Sequence, residues 1–126
     1  MAGRVVVSTL NDDTGILATQ NGMRGIAKAW VNFNGTGTPA IRDSFNVSSI
    51  TDNGTGDYTI NFTTAFPDAN YSLAGMGQTL AGSGTSVNII AIKPSPNPST
   101  TAVSIRCFDN GIGYVDSPYV CVSVFD

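Results

Sequence analysis

The sequence contains no histidine and no glutamate: all nine acids are aspartate, and the six basic residues include only two lysines, Lys28 and Lys93. Without histidine there is no Ser-His-Asp or Cys-His nucleophile pair and no imidazole metal ligand. Cys107 and Cys121 are too few for an all-thiolate zinc centre. Without glutamate, an EF-hand loop lacks its closing bidentate ligand. The basic residues are scattered, which argues against a surface that tracks nucleic-acid phosphates. No run approaches the roughly 18 apolar residues of a membrane span. The stretch from Met1 to Val7 is too short in apolar residues for a signal peptide. These absences leave a binding or assembly module far more readily than an enzyme, with no cofactor, no metal, no nucleic acid and no membrane insertion expected.

What the sequence does hold is a chain of 126 residues, 41% hydrophobic and only 12% charged, with a net charge of −3. That length suits one domain, or one domain with a short arm. Ser, Thr and Asn together number 37, and Gly adds 14, a composition that favours strands and turns over helix interiors. Strands are expected at 29–33, 45–50, 58–63, 71–76, 87–92, 102–108 and 119–125. The clearest alternation places Tyr58, Ile60 and Phe62 on one face and Thr59, Asn61 and Thr63 on the other. The segment 87–92 is apolar on both faces and is expected to lie centrally in its sheet. Asn53-Gly54 marks a hairpin, Pro67 leads a turn, and the prolines at 94, 96 and 98 form a stiff connection. The fold class expected is all-β, an antiparallel β-sandwich over 29–126 preceded by an extended N-terminal arm over 1–28. The arm is expected to form one helical turn at most. Its exposed Val and Leu need a cover, and another copy of the chain is the simplest one.

Three stretches carry a family likeness: 9–23 continuing into Ala27-Lys28-Ala29-Trp30-Val31-Asn32-Phe33-Asn34-Gly35-Thr36-Gly37, the segment 41–62 with Asp52-Asn53-Gly54-Thr55-Gly56-Asp57-Tyr58-Thr59-Ile60-Asn61-Phe62, and Asp116-Ser117-Pro118-Tyr119-Val120-Cys121-Val122-Ser123-Val124-Phe125. In these the chain resembles the C-terminal domain of tail-fibre and related virion proteins of tailed bacteriophages, particularly phages of marine bacteria. A looser likeness links Tyr58 to Phe62 and the following Phe66-Pro67 to H-type lectins. The resemblance implies a β-sandwich at the distal end of a fibre, a homotrimer, other virion proteins as partners, location in the virion after assembly in the host cytoplasm, and recognition of a bacterial surface receptor such as a carbohydrate. The alternative expectation is a structural virion module that attaches or caps an appendage and binds no host ligand.

Candidate sites follow from residue chemistry. The stretch 52–57 offers two carboxylates and an amide, as a Ca²⁺ site needs, but reads foremost as a hairpin turn whose aspartates bond local N–H groups. Asp109 and Asp116 flank a loop with Asn110 and Tyr114, which together with Tyr119 offers rings and oxygens of the kind carbohydrate recognition uses. The same two acids are the pair a glycosidase would need, although the resemblance gives Asp116 a turn role. Trp30 reads as core or interface before sugar platform. A connection symmetric about Tyr114 makes Cys107 and Cys121 face each other across a hairpin, where they read as two small buried hydrophobes before a cross-strand disulfide. The ligand-binding set expected at the tip is Gly82, Ser83, Asn97, Asn110 and Tyr114.

Overall fold

The computed structural model describes residues 3–11, 15–79 and 87–126. Two short strands, β1 (Thr9–Asn11) and β2 (Ile16–Ala18), pair as a hairpin and lead into a helix, α1 (Thr19–Gly25). Then come β3 (Ala29–Asn34), β4 (Ala40–Phe45), β5 (Val47–Gly54), β6 (Asp57–Phe62), β7 (Ser72–Gly77), β8 (Asn88–Ile92), β9 (Ala102–Asp109), β10 (Gly113–Tyr114) and β11 (Val120–Phe125). The order β4-β3-β11-β7 makes one antiparallel sheet, and β5-β6-β9-β8 makes the other. Both β8 and β10 pair with Phe108 and Asp109, so they flank β9 on opposite sides and β10 prolongs the line of β6.

Alternation decides which faces meet. Ala29, Val31 and Phe33 of β3 and Val120, Val122 and Val124 of β11 point inward from the first sheet. Tyr58, Ile60 and Phe62 of β6 and Val103, Ile105 and Cys107 of β9 meet them from the second. Two aromatic groupings close the core at its ends. Phe33 and Tyr58 meet edge-on at 5.2 Å, and Phe62, Phe66 and Tyr71 cluster at centroid separations of 4.7 to 5.8 Å. The sheets therefore pack as the β-sandwich that the period-2 patterning calls for.

The expected strand over 45–50 is in fact two strands in different sheets. Asn46 adopts φ 53°, a left-handed conformation that turns the chain from β4 to β5. Its side chain holds the corner: Nδ2 donates to the carbonyls of Lys28 and Thr64 at 3.2 Å, and Oδ1 accepts from the Thr64 N–H at 2.7 Å. Asn46→Gly keeps the backbone conformation and loses these bonds, for an expected loss of about 1–3 kcal/mol in urea unfolding. Asn46→Ala loses both and is expected to cost about 1 kcal/mol more.

Three other expectations give way here. β8 has Ile89 and Ile92 exposed and lies at the sheet edge, because among the described residues β9 is its single ladder partner. Where it approaches β7, Gly75 and Gly77 leave room for Ile90 and Asn88. The arm is more than one turn: α1 runs seven residues and packs on the hairpin, with the Thr19 hydroxyl bonded to the carbonyls of Val7 and Ser8. Finally, Cys107 and Cys121 lie on opposite sheets. Cys107 is buried, as expected, but Cys121 points to solvent between Asn32 and Met76, and both thiols are free.

Candidate functional site

The strand directions sort every loop to one of two ends. At one end lie the arm junction, where the Lys28 N–H donates to the Val124 carbonyl at 2.8 Å, the Asn46 corner, the connection 93–101 and the chain terminus after Phe125. At the other lie the β3–β4 loop, the β5–β6 hairpin, residues 78–79 and 87 where β7 hands over to β8, and the segment 110–119. Asn110 and Tyr114 occupy this second end, away from the arm. Asn97 sits at the arm end, so the structure does not bring it together with them. Gly82 and Ser83 lie outside the described residues.

The far end is organised by one buried hub. The Tyr58 hydroxyl lies 2.7 Å from Asp116 Oδ1 and 2.8 Å from the Gly35 carbonyl, and the same Asp116 oxygen accepts the Gly56 N–H at 2.8 Å. Burial, reinforced by the neighbouring Asp116 carboxylate, raises the Tyr58 hydroxyl far above its ordinary range. Asp116 thus ties the 110–119 segment to two hairpin loops, in keeping with a turn role. Asp109 is 0% exposed and faces the interior, with Oδ1 accepting from the Gly111 N–H at 2.9 Å. Of the suspected glycosidase pair, Asp109 is closed off from solvent, and Asp116 is half-buried with Oδ1 taken by Tyr58 and Gly56. The β5–β6 hairpin is likewise a turn: Asp52 Oδ1 accepts the Gly54 N–H at 2.9 Å, and Asp57 is engaged by Lys93.

Around this hub the exposed groups divide. Asn110 is partly spent on structure, since its Oδ1 accepts the Val87 N–H at 3.0 Å and pins the start of β8. Tyr114 is 51% exposed, the larger share of its ring free for contact. Phe108 meets it edge-on at 5.7 Å, and Arg106 Nη1 donates to its hydroxyl at 3.1 Å. Lys93 Nζ lies 2.6 Å from Asp57 Oδ2, and Arg106 Nε lies 3.8 Å from the same oxygen. Lys93, Arg106, Phe108 and Asp57 escape a sequence reading because they are spread over fifty positions and meet only through the registers Asp57↔Arg106 and Phe108↔Tyr114. Outward parity on β9 is the signal that links Arg106 and Phe108.

On the opposite sheet Trp30 faces outward, 36% exposed, with Phe45 and Ser123 beside it in register. It is therefore not a core residue, because Ala29, Val31 and Phe33 take the inward parity of β3. Arg42 stacks on Tyr119 with its guanidinium carbon 3.8 Å from the ring centroid. Among the described residues no group of three acidic or thiol side chains is gathered for a metal. No family model matches the chain, and no curated protein and no solved structure matches it either.

Proposed function

We propose that this chain is the host-recognition module of a tailed-phage virion appendage: a homotrimer that attaches to other virion proteins through its arm and binds a bacterial surface receptor, glycan or protein, with the opposite end. One observation carries the reading. The arm leaves the sandwich at one end, while the exposed aromatic Tyr114 and the segment 110–119 stand at the other. A module held at one end and offering rings at the other has the polarity of a tip.

The arm supports the assembly part of the proposal. Val5, Val6, Leu10, Leu17, Met23 and Ile26 border an open cavity of about 580 Å³ and are themselves exposed. Burying such a surface between copies removes apolar area from water, and three weak sites at one tip gain avidity. The experiment combines light scattering with staining of a panel of marine bacteria by the fluorescently labelled chain. The expected result is a trimer that stains some strains and not others, with staining by Tyr114→Ala reduced roughly tenfold or more, as loss of an aromatic anchor demands. A trimer that stains nothing would replace this reading with the structural module, and a monomer would overturn the assembly.

A further inference from the structure

We infer that the receptor is an acidic glycan, its carboxylate taken by Arg106 and the apolar face of its sugar ring by Tyr114. This rests on the receptor-binding reading and narrows it to one ligand class.

The argument starts from how few cations the chain has. Of six basic residues, three lie within the arm, Arg4, Arg24 and Lys28, and Arg42 is stacked on Tyr119 across the molecule. The remaining two, Lys93 and Arg106, stand side by side on the outward face of the second sheet. Among the described residues Asp57 is the one acid paired with them, two cations to one carboxylate on a chain whose net charge is −3. Asp57 is already occupied: Lys93 closes on Oδ2 at 2.6 Å, and Asn53 Nδ2 donates to Oδ1 at 3.3 Å. Arg106 is left at 3.8 Å, beyond hydrogen-bonding distance.

A guanidinium carries five N–H donors in a planar fork that matches a carboxylate. Tyr114 engages Nη1, and Nε is buried beside Asp57 without a hydrogen bond, so the donors open to a ligand are those at the Nη end of the one-third exposed side chain. One carboxylate, Asp57, therefore balances two cations, and Tyr114 holds the Arg106 guanidinium in place. The same contact orients the phenol, whose hydroxyl accepts from Arg106 and keeps its own proton to donate. Phe108 fixes the ring edge-on. A carboxylate-bearing sugar satisfies all of this at once, with charged hydrogen bonds to the Nη groups, one hydroxyl contact to Tyr114 Oη and stacking on the ring face away from the guanidinium, which lies 5.1 Å from the ring centroid. On the same face Asn53 donates to Thr59 Oγ1 at 2.9 Å and is itself exposed, an amide for adjoining sugar residues.

The test uses the purified full chain on immobilised alginate, polygalacturonate and polysialate, each beside the same polymer with its carboxyls reduced to alcohols. At least one acidic polymer is expected to bind about tenfold or more tightly than its reduced form, as loss of charge-assisted bonds requires. Arg106→Gln should abolish that preference and Arg106→Lys restore part of it. Arg42→Gln makes the same charge change on the other sheet and should leave the preference intact. Unfolding midpoints confirm that each variant is folded. Failure of all three acidic polymers to bind, equal binding to the reduced polymers, or an equal loss in Arg42→Gln overturns the inference. If Arg106→Gln still stains cells as the wild type does, the acidic-glycan inference falls and the receptor reading stands. If the wild-type chain stains no cell, both fall.

Discussion

Gly56→Ala is expected to destabilise the protein by roughly 3–5 kcal/mol, the upper end of what one added methyl group does. Two costs coincide at this position. Its φ of +63° is one that L-residues reach only at a penalty of about 1–2 kcal/mol. A Cβ there would also lie 2.6 Å from the Cys107 carbonyl oxygen, 2.8 Å from the Val115 nitrogen and 2.9 Å from the Val115 carbonyl oxygen. All three neighbours are backbone atoms of β9 and the segment after β10, so no side-chain rotation relieves the clash. Where Gly35, Gly75 and Gly77 come closest to other residues, they meet the ends of side chains. The displaced backbone is also the one that carries the hub, since Gly56 donates to Asp116 and accepts from the Cys107 N–H at 2.8 Å. Gly37→Ala separates the two costs. Its φ of +64° is nearly the same, but the space around it is open, so about 1–2 kcal/mol is expected. Urea unfolding of both variants reads the difference, and equal losses would show that the close approach contributes nothing.

Alkaline pH is expected to unfold the protein through its core. Burial, with a further push from the Asp116 carboxylate, raises the Cys107 thiol from 9.0 to about 12. The folded chain therefore holds a proton that the unfolded chain releases, and stability falls as pH rises. The loss begins near pH 9 and proceeds at up to about 1.4 kcal/mol per pH unit, reaching about 4 kcal/mol by pH 12. Tyr58 and Tyr71 are raised as well, chiefly by burial, and join the decline above the ordinary tyrosine value of about 10. The window between pH 9 and 10 thus belongs to Cys107. Stability measured across it should slope downward in the wild type and in Cys121→Ala, whose thiol is exposed, and lie flat in Cys107→Ala. A slope that survives Cys107→Ala would refute this assignment. The reading uses the slope alone, so the cavity left by the smaller side chain does not affect it.

Period-2 patterning was enough to identify a sandwich and to choose the inward faces of β6 and β9. Tyr58, Ile60 and Phe62 are spaced for one face, and a strand has only two. Patterning misjudged the segment 45–50 because the side chains of Phe45 and Val47 obey alternation while the backbone at Asn46 leaves the strand region. A left-handed turn is invisible to a pattern made of side chains. It also misjudged β8, since Val87 to Ile92 reads as a central strand wherever apolar residues fill both parities. Whether such a strand is central depends on its neighbours, and among the described residues β9 is the single ladder partner.

The candidate site divides in the same way. Tyr114 and Asn110 stand out in a sequence because a ring and an amide sit together in a glycine-flanked loop. Their grouping with Asn97 did not hold, because loops go to one end or the other by strand direction, and 93–101 enters β9 at its opposite end. The hub of Tyr58, Gly35, Gly56 and Asp116, and the face made by Lys93, Asp57 and Arg106, join residues up to eighty positions apart. Composition and periodicity are local properties, and they suffice for the class of fold and for the exclusion of imidazole chemistry and a four-thiolate zinc centre. Which carboxylate is buried, which tyrosine is exposed and which cations share a carboxylate depend on register between strands. Register is set by the packing of the whole sandwich, since a shift of one residue would turn every side chain to the other face.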